Sequence, residues 1–156
     1  MTNSAVSANP QEGIVTVSSK PAGLYMHIPF CQSKCAYCDF YSYAASETAK
    51  KEYVSALISA VIAFSAQAIG TFFDSIYFGG GTPSLLENED LQALLYTIHA
   101  YYEVSEEAEI TLEANPGTVA DVRWEGLHAM GFNRLSLGMQ SAVDTELAAL
   151  GRIHTF

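Results

Sequence analysis

The sequence has few positively charged residues and very little cysteine. Seven lysines and arginines stand against seventeen aspartates and glutamates, so the 156-residue chain carries a formal net charge of -10. A chain of this charge repels phosphate backbones, and we therefore expect no nucleic acid partner. Three closely spaced cysteines cannot make a disulfide framework. No signal-peptide pattern opens the sequence, which predicts a cytoplasmic protein whose thiols stay reduced.

Charge is also missing from residues 53–73, a stretch long enough to be considered as a membrane span. The stretch contains Ser55, Ser59 and Gln67 and is rich in alanine. Its larger apolar residues recur at the i, i+4 spacing of one helix face. We therefore predict a packed amphipathic helix here and no stable membrane span.

Short apolar runs alternate with helical patterns after residue 22, which is typical of a parallel sheet built from βα units. Residues 1–22 are rich in serine and alanine with two prolines, and we predict a flexible extension there. Residues 23–156 are predicted to form one α/β domain of about four βα units. The predicted strands are 23–28, 75–78, 109–113 and 134–137, and the predicted helices are 46–69, 91–102, 124–130 and 144–150. Four units cannot close a barrel, so we expect an open sheet or the first part of a longer domain.

The cysteines form a Cys-x3-Cys-x2-Cys triplet of Cys31, Cys35 and Cys38. Thiolates bind soft metals and iron-sulfur clusters, and three thiolates on a four-iron cluster leave one iron open for chemistry. A zinc site completed by His27 or His154 is the alternative, because three cysteines and one histidine also bind zinc. The spacing alone leaves both metals open.

Glycines and polar residues follow the other predicted strands. Residues 79–82 end the second strand, Glu113 and Asn115 end the third, and Gln140 and Ser141 follow the fourth. In βα folds the functional groups gather at the carboxyl-terminal ends of the strands, because the loops that carry them lie there. The four strands therefore point to one site that also includes the cysteines.

Five segments in this order resemble the radical S-adenosylmethionine superfamily, in its group of oxygen-independent coproporphyrinogen III oxidases and HemW heme chaperones. They are residues 23–31, the cysteine triplet, and residues 76–84, 112–116 and 133–141. The resemblance covers about residues 23–155. It implies a partial (β/α)6 barrel, of which this chain holds the N-terminal part.

The resemblance implies a [4Fe-4S] cluster on Cys31, Cys35 and Cys38, with S-adenosyl-L-methionine on the fourth iron. One electron from the reduced cluster would then cleave the sulfonium C5'–S bond and give a 5'-deoxyadenosyl radical. Heme or a porphyrin, heme-accepting proteins and an electron donor for the cluster are the implied partners. No residue of this chain is assigned as catalytic.

The resemblance also implies which residues contact S-adenosylmethionine near the cysteines. Gly80 and Gly81 would let the backbone approach the methionine moiety, and Thr82 would add a hydrogen-bond donor. Tyr25 would lie near the cofactor, and Tyr37 would pack on the adenine or on the cluster. Both tyrosines could equally be core aromatics.

Three more residues are implied as cofactor contacts. Glu113 and Gln140 would bind the ribose hydroxyls, and Arg152 would bind the cofactor carboxylate with its fork of donors. Taken singly, Glu113 is also an ordinary carboxylate at a strand end, and Arg152 an ordinary surface charge. Only their positions in the matched segments favour the functional interpretation.

Phe40 departs from the oxidase pattern, because the oxidases carry a further cysteine two positions after the third cluster ligand. The heme chaperones lack that cysteine, so the resemblance favours a heme chaperone of heme and porphyrin metabolism. The alternatives are an oxygen-independent coproporphyrinogen III oxidase, which acts by oxidative decarboxylation, and a non-catalytic zinc-binding interaction domain. Because chains of the family continue well past the position of residue 156, we expect this length of chain to lack full activity.

Overall fold

Four parallel strands form one sheet in the computed structural model, which describes residues 20–119 and 121–156. They are β1 (Ala22–Ile28), β2 (Phe72–Gly80), β3 (Glu103–Ala114) and β4 (Arg134–Leu137). The strands lie in the order β1-β2-β3-β4, and each neighbouring pair is parallel. The predicted α/β class with a parallel sheet is confirmed. Most of the predicted N-terminal extension, residues 1–19, lies outside the described residues.

Each strand is followed by a helix, which returns the chain to the start of the next parallel strand. The helices are α1 (Glu47–Ser65), α2 (Asn88–Tyr101), α3 (Asp121–Met130) and α4 (Asp144–Ala149). Ser46 caps α1, because its Oγ accepts a hydrogen bond from the Ala49 N–H at 3.2 Å.

Two strands are longer than the sequence predicts. β3 begins at Glu103 rather than near residue 109, and β2 begins at Phe72 rather than at Ser75. The first seven residues of β3, 103–109, include four glutamates, a composition that is unfavourable in strands. They nevertheless pair with β2, where Phe72 lies opposite Glu103 before a shift in register. Strand pairing therefore overrides the local composition.

The apolar core lies between the sheet and the helices. Ile76 and Phe78 of β2 are fully buried, and the ring of Phe78 meets that of Phe132 edge to face at 5.3 Å. Val54 and Val61 of α1 are also buried, which confirms the packed helix predicted from the uncharged stretch. Across the two described ranges, no helix is both long enough and apolar enough to cross a membrane.

The loop between β1 and α1 carries the cysteines, and it is closed at its base. The Tyr43 N–H donates to the Pro29 carbonyl at 2.9 Å, and the Cys31 N–H donates to the Tyr43 carbonyl at 3.0 Å. The chain therefore leaves and re-enters the fold at one place. This closure holds the cysteine loop at the carboxyl-terminal edge of the sheet.

Candidate functional site

A cavity of about 320 Å³ lies at the carboxyl-terminal edge of the sheet and is lined from the loops after all four strands. Its volume is at the lower end of the usual range for small-molecule sites, about 300–1,000 Å³. Every predicted binding residue except Tyr25 lines it: Cys31, Cys35, Tyr37, Cys38, Gly80, Gly81, Thr82, Glu113, Gln140 and Arg152. The structure therefore brings residues together that are far apart in the sequence.

The three cysteines are free thiols, and each is half-buried. Among the side chains of the described residues, no three His, Cys, Asp or Glu side chains come close enough to hold a single metal ion. A zinc ion needs all its ligands at about 2.0–2.3 Å from one point. The thiolates of an iron-sulfur cluster bind different irons and need no such common point. Three cysteines are a donor set that fits a four-iron cluster with one open iron.

The two histidines of the zinc alternative do not line the cavity. His27 Nε2 lies 3.2 Å from the Tyr41 carbonyl oxygen, and His154 Nε2 lies 3.1 Å from the Met139 carbonyl oxygen. Each of these ring nitrogens is within hydrogen-bond distance of a backbone acceptor. His154 Nδ1, in contrast, is buried without a partner among the described residues, so the zinc alternative stays a prediction.

Two of the cysteine sulfurs accept hydrogen bonds from side chains of other loops. Thr82 Oγ1 donates to Cys31 Sγ at 3.6 Å, and Arg152 Nη1 donates to Cys35 Sγ at 3.4 Å. Donors of this kind stabilise negative charge on a metal-bound sulfur. The surroundings of the sulfurs therefore suit thiolates that bind a cluster.

Arg152 links the cysteine loop to the ends of β3 and β4. Its Nη2 donates to Asn115 Oδ1 at 2.5 Å and to the Gly138 carbonyl at 2.6 Å. The neighbouring Leu150 carbonyl accepts from the Ala36 N–H at 3.3 Å. Arg152 Nε is buried, and its N–H has no partner among the described residues. That N–H is therefore an unsatisfied buried donor, a costly arrangement.

Packing within the protein already accounts for glycine at positions 80 and 81, at the end of β2, without a bound ligand. A Cβ on Gly81 would lie 2.6 Å from the backbone oxygen of Phe30, and a Cβ on Gly80 would lie 2.5 Å from the His27 ring. Gly80 also has a φ of 111°, which side chains rarely tolerate. The predicted reason, approach to a ligand, stays a prediction, whereas the close backbone contact at Gly81 is an observed feature of the fold.

Glu113 is held by two donors from β2. Tyr77 Oη donates to Oε1 at 2.6 Å, and the Gly80 N–H donates to Oε2 at 3.1 Å. Burial and this hydrogen bond to Glu113 raise the pKa of Tyr77, so the phenol keeps its proton at neutral pH. A carboxylate offers about four acceptor positions. Glu113 can therefore still accept two hydroxyl groups, such as those of a ribose.

Gln140 has a φ of 67°, and within the described residues it alone among non-glycine residues has positive φ. Such a conformation is costly for a residue other than glycine and is concentrated at functional sites. The nearby Gly138 is also confined, because a Cβ there would lie 2.9 Å from Asn115 Oδ1 and 3.1 Å from Gln140 Nε2. No sequence pattern indicates this backbone strain.

The two tyrosines are placed differently. Tyr37 lines the cavity, and burial and the neighbouring Cys35 raise its pKa. Tyr25 does not line the cavity. Its ring stacks on Tyr77 at 6.0 Å, and burial and the nearby Glu113 raise its pKa. Tyr25 therefore lies outside the cavity lining, next to Tyr77, the residue whose phenol donates to Glu113.

Asn115 has a larger part in the site than the sequence indicates. Its Nδ2 donates to Thr82 Oγ1 at 3.0 Å, and its Oδ1 accepts from Arg152. The sequence places it at a strand end before a proline, but no motif assigns it a role. Its position between Thr82 and Arg152 depends entirely on the packing of three loops.

These features define an α/β protein with a cavity at the carboxyl-terminal edge of its parallel sheet, lined by three cysteines and by polar residues of the other loops. Residues 25–156 match the family model of the Radical SAM superfamily. The chain belongs to the radical SAM superfamily. Binding of a [4Fe-4S] cluster and of S-adenosylmethionine is typical of this superfamily.

Curated relatives have more specific names. The chain is 44% identical over 139 residues to "Heme chaperone HemW" of Escherichia coli (strain K12), covering 88% of this chain and 37% of the relative. It is 34% identical over 146 residues to the protein of that name from Mycobacterium tuberculosis (strain CDC 1551 / Oshkosh), covering 92% and 37%. It is 37% identical over 140 residues to "Radical S-adenosyl methionine domain-containing protein 1, mitochondrial" of Bos taurus, covering 88% and 31%. The chain thus spans about a third of the length of these relatives.

A solved structure shares the fold. Its title is "Coproporphyrinogen III oxidase (HemN) from Escherichia coli is a Radical SAM enzyme", and it matches with a TM-score of 0.80 and 28% identity. The match covers 87% of this chain and 32% of that chain. The family resemblance and the expected radical SAM fold, an α/β arrangement of about four βα units, are both confirmed.

Proposed function

We propose that this chain is the cluster-binding and cofactor-binding portion of a HemW-type heme chaperone that acts in heme and porphyrin metabolism. The observation that carries the proposal is the single cavity lined by all three cysteines together with Gly80, Thr82, Glu113, Gln140 and Arg152. A bare cysteine triplet would support a metal site only. The shared cavity supports a metal site with an organic ligand beside it.

Cys31, Cys35 and Cys38 would hold a [4Fe-4S] cluster with one iron open to the cavity. The bound cluster would supply one-electron reduction of S-adenosylmethionine, which needs an electron donor. The residues of the chain hold the sulfurs in place, supply donors to two of them, and line the cavity with the Tyr37 side chain. Their tasks are therefore positioning and the partial exclusion of water.

The polar residues opposite the cysteines would bind S-adenosylmethionine. Glu113 would accept hydrogen bonds from two ribose hydroxyls with its remaining acceptor positions. Arg152, which lines the cavity, would bind the cofactor carboxylate with its guanidinium. Gln140, which is held in a strained backbone conformation on the cavity wall, would contact the same sugar. These assignments use donors and acceptors that the fold leaves free.

The heme chaperone assignment is supported by the relatives named "Heme chaperone HemW" and by Phe40. Phe40 lines the cavity and is 68% exposed, at the position where the oxidases carry a cysteine. An apolar ring cannot do the work of a redox-active sulfur near the cluster. Heme and a heme-accepting protein are accordingly the proposed partners, and the cytoplasm, which keeps the three thiols reduced, is the proposed location.

The structural likeness to the oxidase of Escherichia coli favours one second candidate, the oxidative decarboxylation of coproporphyrinogen III. The two candidates differ in a simple assay of the chain in the context of its full-length protein. A heme chaperone binds heme in a titration and makes no protoporphyrinogen anaerobically. Formation of protoporphyrinogen well above the 5'-deoxyadenosine background, without heme uptake, would identify the oxidase.

Anaerobic reconstitution with iron and sulfide tests the site directly. We expect about four irons and four acid-labile sulfides for each chain, with the brown colour of an iron-sulfur protein. Stoichiometric zinc without acid-labile sulfide, in protein purified without oxygen, would show a zinc domain instead. Calorimetry with S-adenosylmethionine on the reconstituted chain then tests the cofactor contacts.

A further inference from the structure

Three side chains connect two of the cysteine sulfurs in one continuous series of hydrogen bonds. Arg152 Nη1 donates to Cys35 Sγ at 3.4 Å, and Arg152 Nη2 donates to Asn115 Oδ1 at 2.5 Å. Asn115 Nδ2 donates to Thr82 Oγ1 at 3.0 Å, and Thr82 Oγ1 donates to Cys31 Sγ at 3.6 Å. The series joins the loops after β1, β2 and β3 to the segment after α4.

From Arg152 to Cys31 the three donors all point the same way, and Arg152 donates separately to Cys35 at the other end. The guanidinium polarises the Asn115 amide, the amide polarises the Thr82 hydroxyl, and the hydroxyl donates to a sulfur. Hydrogen bonds arranged head to tail strengthen one another, most of all where water is excluded. Thr82 is only 3% exposed. The positive charge of Arg152 therefore acts directly on Cys35 and through two side chains on Cys31.

We propose that Arg152, Asn115 and Thr82 form a hydrogen-bond relay that raises the reduction potential of the cluster bound by the cysteines. The proposal rests on the proposed cluster binding. A reduced cluster carries one more negative charge than an oxidised cluster, and donors to its sulfurs stabilise that charge. Asn115 and Thr82 are accordingly positioning residues that act through the sulfurs, a role separate from contact with S-adenosylmethionine.

The test measures the midpoint potential of the reconstituted chain by redox titration, followed by the electron paramagnetic resonance of the reduced cluster. S-adenosylmethionine is left out, so cofactor contacts do not enter the result. Thr82→Val removes the hydroxyl at nearly constant volume, and Thr82→Ser keeps it. We expect Thr82→Val to shift the potential to a more negative value and Thr82→Ser to stay close to wild type.

Thr97→Val is the matched control. Thr97 is a nearly buried threonine of α2 whose hydroxyl donates to the Ala93 carbonyl, and it does not line the cavity. We expect this variant to keep the wild-type potential. A shift in Thr97→Val as large as that in Thr82→Val would attribute the effect to fold stability and overturn the relay.

The double variant separates a relay from independent contacts. Asn115→Leu interrupts the series between Arg152 and Thr82, so adding Thr82→Val should change the potential little further, because links of one network are not additive. Fully additive shifts, or wild-type potentials in both single variants, would overturn the relay. If Asn115→Leu binds no cluster, the comparison of Thr82→Val with Thr82→Ser still decides. Absence of a cluster in the wild type would instead overturn the proposed function, and the relay with it.

Discussion

Two arginines fasten loops in this protein, and they differ in what they leave free. Arg123 of α3 donates to the carbonyls of Ser84, Leu86 and Thr118 and to Asn88 Oδ1. Each of its three nitrogens donates to at least one protein oxygen. Arg123 therefore has a structural role: it connects α3 to the loops after β2 and β3.

Arg152 also donates to protein groups, but one of them is a sulfur and one of its nitrogens stays unpaired. It contacts Cys35 Sγ, and its buried Nε has no partner among the described residues. A buried donor without a partner is costly, and it is rare where an arginine has only a structural role. The two arginines therefore differ in their hydrogen bonding: each nitrogen of Arg123 meets a protein oxygen, whereas one nitrogen of Arg152 has no partner among the described residues, a difference that the residue type alone does not reveal.

The largest expected effect concerns the three cysteines, which line the same cavity as Arg152. Any one of Cys31→Ser, Cys35→Ser or Cys38→Ser should abolish the [4Fe-4S] cluster, because a serine oxygen is a poor replacement for a thiolate. Iron and sulfide analysis after anaerobic reconstitution measures this, with circular dichroism to check the fold. A full cluster complement in any one of these variants would exclude that cysteine as a ligand.

The second largest expected effect is on stability and concerns Arg123. Arg123→Met should lower the free energy of unfolding of the apo chain by about 3 kcal/mol, because three carbonyls lose their donor together. Urea denaturation measures it. Arg134→Met is the control, since the exposed pair of Arg134 with Glu109 should contribute under about 1 kcal/mol. An equal loss of unfolding free energy in the two variants would contradict the structural role of Arg123.

A smaller effect concerns the organic cofactor. Glu113→Gln should weaken S-adenosylmethionine binding by about 1 kcal/mol, because a neutral amide oxygen accepts from ribose less strongly than a carboxylate. Calorimetry on the reconstituted chain measures the change. Glu109→Gln, an exposed glutamate on the same strand, is the control and should bind as the wild type does. Unchanged affinity in Glu113→Gln would show that this carboxylate does not meet the cofactor.

The smallest effect tests what holds that carboxylate. Tyr77→Phe removes the donor to Glu113 Oε1 and should weaken cofactor binding by about 0.5–1 kcal/mol. The raised pKa of Tyr77 keeps its phenol protonated, so the difference from wild type should be the same at pH 7 and pH 9. Tyr96→Phe, at a tyrosine that is 77% exposed, is the control. A difference that disappears by pH 9 would mean that the phenol has lost its proton in this range.

The sequence predicts the order and type of the elements well, because the apolar runs and helical patterns are strong in the middle of each element. It misplaces the start of β3, where acidic residues favour a loop but pairing with β2 extends the strand to Glu103. This difference depends on a neighbouring strand, which local patterns cannot register. The position of Tyr25 near the cofactor stays a prediction, and the structure places its ring against Tyr77, outside the cavity lining.

The sequence by itself determined the chemistry of the donors. Three cysteines in eight residues, a glycine run after a strand and a carboxylate at the next strand end are properties of the chain, whatever its packing. The tertiary structure decided how these groups act on one another. The bond from Arg152 to Cys35 joins residues 117 positions apart, and the place of Asn115 between Arg152 and Thr82 depends on three loops that meet at one sheet edge. Such contacts arise only when packing brings distant segments together, so no sequence motif predicts them.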